Sequence, residues 1–313
     1  MDMREKKARF EREGKIYDAA LLTFLGVDGF DVYNCSIPFS WNGREYIYGR
    51  VERRGEWARS WVRLFERTGK DTYTAVPESM VYQLEDPYIQ RIGGELVLGG
   101  THVRKQSGSI ETYYGYFYRG TQLEDMRYFT TGPDRMKDIR LIQLADGRIG
   151  VFSRPRGPEV EEKYGSGAVI GFAVIDSLDE LTANVIADAP VIGNLFGRGE
   201  WGGCNQCYLL RDGRVGVIGH KCYEEEDAKG ISQLVYLNVA FLFDPKTHEA
   251  TEPEIIATRR SYPDAPAKMP NLLDCAFPSG IVKRPDGRVD LYSGVGDTCE
   301  GRVTLDNPFE GLL

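Results

Sequence analysis

Six charged side chains or histidines stand at the ends of short apolar runs, where strands would deliver them to one place. They are Arg50, His102, Arg104, Arg154, His220 and Asp297. Arginine and histidine supply hydrogen-bond donors for an anion, and a carboxyl group delivers or accepts a proton. The set indicates chemistry on a small anionic or polyhydroxylated molecule. For any one of these residues, a surface ion pair or a satisfied buried polar group is the alternative.

The motifs of several other reaction classes are missing. The sequence has no HExxH, GxSxG or GxxxxGK[ST] segment, and no GxGxxG after a strand, which disfavours zinc proteases, serine hydrolases, P-loop and Rossmann proteins. One CxxC is present, Cys204-Asn-Gln-Cys207, without a second pair at similar spacing. Because a structural zinc site requires four ligands, we expect reduced thiols, no metal and no cofactor.

Composition limits the class of protein. The chain has 313 residues, 42% hydrophobic and 27% charged, which is typical of a globular protein. Its net charge of −8 disfavours nucleic acid as a partner, because phosphate-tracking surfaces need clustered cations. Neither a secretory signal nor a run of about 18 apolar residues is found. We expect a soluble cytoplasmic protein with no membrane partner; its oligomeric state stays open.

The elements that must position these side chains repeat five times. Each repeat is an apolar strand, a tight turn on glycine, and a second apolar strand that ends in small or polar residues. The turn glycines are Gly43, Gly94, Gly147, Gly213 and Gly287, at intervals of 51 to 74 residues. Asn-Gly and Asp-Gly supply the positive φ that two-residue hairpins require. Five regularly spaced β-hairpins predict an all-β fold, a five-bladed β-propeller.

Other segments complete this architecture. Three apolar runs are suited to outer strands of the blades, at residues 112–118, 168–175 and 234–243. Helix is expected only for residues 2–13 and 57–65. We therefore predict an N-terminal helical extension and closing strand over residues 1–30 and a propeller domain over residues 31–313. A β-sandwich with several hairpins is the alternative. Since enzymes and binding modules share propellers, the function must come from the site.

Five segments, in order and at the hairpin spacing, resemble the β-mannoside phosphorylases of glycoside hydrolase family 130. Leu84-Glu85-Asp86-Pro87-Tyr88-Ile89 is similar to the Glu-Asp-Pro-Arg-Ile stretch of that family. The other four segments lie at residues 33–36 with 48–50, 137–141 with 152–155, 217–220, and 276–280 with 292–298. The chain resembles still more closely the domain of unknown function family 1861. That family is classed as glycosyltransferase family 108 and includes β-1,2-mannosyltransferases and β-1,2-mannan phosphorylases.

The resemblance implies roles for individual residues. Asp86 would be the catalytic acid, which delivers its proton through a sugar hydroxyl, with Glu85 as the adjacent alternative. By its type alone, Asp-Pro also initiates turns. The expected phosphate clamp consists of Arg50, Lys137, Arg154 and His220. The expected sugar-binding residues are Asn34, Arg104, Asp138 and Asp297. Trp201 is a candidate for stacking on a sugar ring or for the propeller core.

Three residues depart from the phosphorylase pattern. Cys35 replaces a proline, Tyr88 an arginine and Ser293 a tyrosine. These changes bear on the donor or phosphate site more than on the acid.

The residue types favour phosphorolysis over hydrolysis. An inverting hydrolase needs a second carboxylate about 6.5–9.5 Å from the acid to activate water. Phosphate is itself a nucleophile, so cations that hold it in line replace that base. We therefore predict an inverting β-mannoside phosphorylase or mannosyltransferase that acts on β-1,2-linked manno-oligosaccharides, with phosphate or mannose 1-phosphate as co-substrate. A nucleotide-sugar mannosyltransferase, which would lack an Asp-x-Asp metal motif, and an inert carbohydrate-binding propeller are the alternatives.

Overall fold

The computed structural model describes residues 2–226 and 230–313. The chain opens with helix α1, Met3–Glu13, whose N-terminus is capped by the Asp2 side chain. Strand β1, Asp18–Leu21, follows and pairs with the last strand of the chain. The predicted N-terminal helix is therefore present, and the segment after it closes the ring of sheets.

Five separate β-sheets form the blades of a propeller, as predicted. Blade one contains β2 Thr23–Leu25, β3 Asp31–Tyr33, β4 Phe39–Trp41, β5 Arg44–Glu52, β6 Trp61–Gly69 and β7 Thr72–Ala75. Blade two contains β8 Glu85–Ile92, β9 Glu95–Gln106, β10 Ser109–Gly120 and β11 Arg127–Thr131. Blade three contains β12 Arg140–Gln143, β13 Ile149–Ser153 and β14 Gly171–Ile175.

The last two blades follow the same plan. Blade four contains β15 Trp201–Leu209, β16 Val215–Glu226, β17 Ser232–Asp244, β18 Glu249–Ala250 and β19 Glu254–Ala257. Blade five contains β20 Ala276–Lys283, β21 Val289–Val295 and β22 Cys299–Leu305, with β1 as its outermost strand. The expected outer runs at 112–118, 168–175 and 234–243 fall in or around β10, β14 and β17 and form the third strands of their blades.

All five predicted hairpins are present, with two kinds of turn. Asn42 and Gly43 both have positive φ, as a two-residue hairpin requires. The Asp-Gly turns differ. Around Gly147, for example, the glycine N–H donates to Leu144 O at 3.0 Å and only the glycine is left-handed, with φ of 88°. A longer turn followed by one left-handed glycine therefore replaces the two-residue turn at these positions.

The apolar core lies between neighbouring blades. Separate clusters of buried side chains join blades one and two, two and three, three and four, four and five, and five and one. Between blades three and four, for instance, the rings of Phe152 and Phe243 are 5.4 Å apart. Because every blade packs against two neighbours, the inner strands are fixed relative to one another.

One helix prediction was wrong. Residues 57–60 are irregular, and strand β6 begins at Trp61. Val62 and Leu64 are both buried, which is the period of two that a strand produces, and β6 pairs with β5. Helices α2, Pro158–Tyr164, and α3, Ala183–Ala187, lie outside the strands of blade three. Three short 3-10 helices lie at Leu178–Glu180, Arg259–Ser261 and Pro270–Leu272. Among the described helices, none is long and apolar enough to cross a membrane.

Candidate active site

A cavity of about 300 Å³ is lined by residues of all five blades. It contains eight of the nine side chains predicted for the site: Asn34, Arg50, Asp86, Lys137, Asp138, Arg154, His220 and Asp297. Glu85, the alternative acid, also lines it. The structure therefore brings together residues that are up to 263 positions apart in the sequence.

The Asp86 carboxyl lines this cavity and is held by hydrogen bonds on one of its two oxygens. Its Oδ1 accepts hydrogen bonds from Asn34 Nδ2 at 3.0 Å and from Arg50 NH1 at 2.9 Å. The Nζ of Lys137 is 4.0 Å from the other oxygen, Oδ2. Since Oδ1 already has two donors, Oδ2 is the oxygen that is free to carry a transferable proton.

Two further carboxyl groups accompany Asp86. Arg50 NH2 donates to Glu85 Oε1 at 2.9 Å, and Asn34 Nδ2 lies 3.3 Å from Asp297 Oδ1. Burial raises the pKa of both Glu85 and Asp297, and the neighbouring Asp86 charge acts in the same direction. Arg50 is thus the cation that holds this group of acids together.

One residue in each blade departs from regular strand geometry, and in blades one to three that residue lines the cavity. Asn34, Asp86, Asp138, Asn205 and Ser279 each lie eight or nine positions before a turn glycine. The first three have φ of 47°, 48° and 57°, and the last two stand at β-bulges. Bulges re-aim a side chain, and Asn and Asp tolerate the left-handed conformation. Pro87, which has no N–H for the ladder, lies in the bulge after Asp86.

The second strand of each hairpin supplies the next set of residues. Arg50, Thr101, Arg154 and His220 each lie seven positions after a turn glycine, and all four line the cavity. Side chains alternate between the two faces of a strand, so Val103 and Arg156, two positions further on, also line it. Thr101 and Arg156 were not predicted, although this register identifies them.

The same alternation corrects the expectation for Arg104 and His102. Arg104 lies outside the cavity-lining residues; its side chain is exposed and forms two hydrogen bonds, of 2.9 and 2.8 Å, with Glu111. His102 stacks on Tyr116, with ring centroids 4.5 Å apart, and is likewise absent from the cavity. Both residues are an odd number of positions from Thr101 and therefore point to the opposite face of β9.

Blade five presents a glycine at the equivalent position. A Cβ on Gly294 would lie 1.7 Å from Asn34 Oδ1. Only glycine leaves room for Asn34, so Gly294 is required for the contact between Asn34 and Asp86. Cys35, which follows Asn34, donates a hydrogen bond from its backbone N to Glu300 at 3.0 Å, and Ser279 Oγ donates to the same carboxyl at 2.8 Å. Burial raises the pKa of Glu300 to about 8.

Three further cations line the cavity: Lys137, Arg154 and Arg156. Arg154 NH1 donates to Asp138 Oδ2 at 2.9 Å, and the side chains of this pair are 4% and 1% exposed. Arg154 also donates from Nε to Gly202 O at 2.6 Å. Lys137 and Arg156 form no hydrogen bond with any residue of the described chain. They are therefore available to an anionic ligand.

His220 lies in the cavity with the other residues of the expected clamp, and its surroundings disfavour the imidazolium cation. Burial, followed by the charge of Arg154, holds its pKa well below the ordinary value. Its Nδ1 lies 2.7 Å from Oδ1 of Asn205. In this arrangement Nδ1 carries the proton, and Nε2 can accept a hydrogen bond from a hydroxyl group.

Aromatic rings line the walls and mouth. Trp201, a candidate for sugar stacking, lines the cavity beside Tyr236 and Phe277, and the Phe277 ring is 4.8 Å from that of His220. Trp57 and Tyr113, which were not singled out from the sequence, also line it. Rings of this kind provide apolar surface for the C–H faces of a sugar.

The three departures from the phosphorylase pattern lie outside the cavity lining. The Tyr88 ring packs under the Arg140 guanidinium at 4.6 Å, and Cys35 is buried. Ser293 Oγ lies 2.6 Å from the hydroxyl of Tyr262. In the described residues all six cysteines are free, and no group of three or more His, Cys, Asp and Glu suited to a metal ion occurs.

The fold and the site define a class: a five-bladed propeller whose cavity contains a cluster of carboxyl groups and cations. Residues 8–311 match the family described as protein of unknown function DUF1861. The chain belongs to this family, as the sequence resemblance predicted.

Solved structures of similar proteins come from Leishmania. MPT-4, a mannose phosphorylase from Leishmania mexicana solved in complex with phosphate ion, is 54% identical, with a TM-score of 0.94 over 99% of this chain and 96% of that one. MPT-1, a GDP-Man-dependent mannosyltransferase from the same organism, is 49% identical, with a TM-score of 0.92 over 99% and 97%.

A more distant structure shares the fold alone. A glycosyl hydrolase from Bacteroides ovatus is 14% identical, with a TM-score of 0.65 over 96% of this chain and 98% of that one. Among curated proteins no match is found.

Proposed function

We propose that this protein is an inverting β-mannoside phosphorylase, which transfers a mannosyl unit between phosphate and a β-1,2-linked manno-oligosaccharide. The observation that carries the proposal is the position of Asp86. One oxygen of this carboxyl is held by Arg50 and Asn34, and the other faces the cavity near the Lys137 ammonium.

The cations of the cavity support phosphate as the nucleophile. Asp138 is fixed to Arg154, which lowers its pKa despite burial, so it is a poor base for activating water. Donors for an anion come instead from Lys137, from Arg156 and from the part of the Arg154 side chain that lines the cavity. The phosphate complex of the 54% identical mannose phosphorylase agrees with this choice.

The proposed reaction is a phosphorolysis that inverts the configuration at the anomeric carbon. A phosphate oxygen attacks the anomeric carbon while the glycosidic bond on the opposite face breaks. The proton of Asp86 passes, directly or through a sugar hydroxyl, to the departing oxygen. The products are α-mannose 1-phosphate and a chain shortened by one unit. In reverse, Asp86 receives the proton of the acceptor hydroxyl.

A GDP-mannose-dependent transferase is the second candidate. It is favoured by the 49% identity with MPT-1, which covers 97% of that chain. The same acid and cations would serve it, with a diphosphate as the leaving group.

One assay separates these candidates. The protein is incubated with mannose and mannobiose as acceptors and with either mannose 1-phosphate or GDP-mannose as donor. Phosphate release with the first donor alone supports the phosphorylase, and GDP release with the second supports the transferase. Absence of both, with oligosaccharide still bound in calorimetry, would leave a binding module.

A further inference from the structure

A second groove, of about 570 Å³, adjoins the mouth of the cavity. Trp57, Leu234 and Leu272 line both spaces, so the groove lies next to the cavity. The groove lies between the loop after β5 and the loop before β20, and it also includes Met269 and Asn271. A chain with one unit in the cavity would pass into this groove as it leaves.

The groove is apolar and exposed at its centre. Trp57 is 48% exposed and Met269 is 44% exposed, which is high for side chains of this size and polarity. The Nζ of Lys268 lies over the Trp57 ring, 6.0 Å from its centroid. The rest of the indole is open to a ligand. Aromatic rings of this kind present a flat surface on which the C–H face of a pyranose packs.

One buried carboxylate holds both walls of the groove. Glu52 accepts a hydrogen bond from Arg59 N, in the first loop, at 2.7 Å and forms a buried ion pair with Lys268 in the second. The Lys268 N–H also donates to Gly296 O at 2.7 Å. The two loops are therefore fixed before a ligand arrives, which reduces the entropy lost on binding.

We infer that this groove binds the units of an oligosaccharide that lie beyond the unit nearest the reacting bond, with Trp57 as the stacking platform. This inference rests on the proposed function, because it takes the occupant of the cavity to be one end of a mannose chain. It makes the protein selective for chains over single sugars.

The test compares acceptor length in two variants. The kcat/KM for transfer from mannose 1-phosphate is measured with mannose and with β-1,2-linked oligomers from the disaccharide to the pentasaccharide. In Trp57→Ala we expect a loss that grows with acceptor length and is about tenfold larger for the pentasaccharide than for mannose, because only the longer chains reach the groove. Trp57→Phe, which keeps a ring, should recover most of the loss.

Tyr128→Ala is the matched control, because Tyr128 is 52% exposed and lies outside both spaces. Equal losses at every acceptor length in Trp57→Ala, or no loss, would overturn the inference. If the parent protein transfers no mannose, the proposed function fails by itself. Calorimetry with the pentasaccharide then still tests the groove: binding that weakens in Trp57→Ala supports it, and unchanged binding overturns it.

Discussion

The NH1 atom of Arg50 lies 2.9 Å from Oδ1 of Asp86, and its NH2 atom lies 2.9 Å from Oε1 of Glu85. One guanidinium therefore holds both carboxyl groups that the sequence offered as the acid. The two are not equivalent, because only Asp86 is also held by Asn34 and lies near Lys137. This difference makes Asp86 the group placed to exchange a proton with a ligand.

We expect Asp86→Asn to reduce turnover by roughly 10²–10⁴-fold, the usual contribution of a general acid. Sugar binding should change little, because the amide keeps the shape and the acceptor oxygen for Arg50. Turnover is measured by phosphate release, and binding by calorimetry. Glu85→Gln is the control and should retain far more activity. The reverse order of the two variants would move the acid to Glu85.

Removal of Arg154 should affect folding as well as phosphate binding. Its partner Asp138 is buried, so Arg154→Ala leaves an unpaired charge and should cost about 3–5 kcal/mol in the free energy of unfolding. The double variant Arg154→Met with Asp138→Asn should regain most of that stability in urea denaturation.

Phosphate binding distinguishes these two effects of Arg154. In the double variant the Kd for phosphate should still rise about tenfold to a hundredfold, since a charge-assisted donor is lost. Uncharged oligosaccharide has no such charge to lose, so its Kd should rise much less than the Kd for phosphate. Equal weakening of phosphate and sugar would show that Arg154 is not part of an anion site.

Glu300 should make stability depend on pH. Burial raises its pKa from the ordinary 4.5 to about 8, so the folded protein holds a proton that the unfolded chain releases. Between pH 4.5 and 8 the folded state binds more protons, and its contribution to stability is lost as the pH rises, by up to about 1.4 kcal/mol per unit. In Glu300→Gln, urea denaturation between pH 5 and 8 should give a flatter profile. An unchanged slope would contradict this assignment.

His220 should remain neutral well below its ordinary pKa. Burial and Arg154 disfavour the imidazolium in the folded state, so stability linked to His220 is lost as the pH falls below 6.5. Nuclear magnetic resonance of the imidazole should show no titration near pH 6.5. A His220 midpoint near 6.5 would instead make this residue a switchable cation.

The sequence by itself determined the architecture, because turn chemistry is local. Glycines in Asn-Gly and Asp-Gly pairs favour hairpin turns. Five hairpins at regular spacing then indicate five blades. The same register brought Arg50, Arg154 and His220 to the cavity. It also contained Thr101 and Arg156, which strict alternation along a strand would have identified in place of Arg104.

Only the tertiary structure decided how the site is charged. Burial between blades pairs Arg154 with Asp138, lowers the pKa of His220 and raises the pKa of Glu300. The groove at Trp57 likewise needs Glu52 and Lys268, which are 216 positions apart. Desolvation and ion pairing depend on which side chains meet across the ring of blades, and a local pattern does not carry that information.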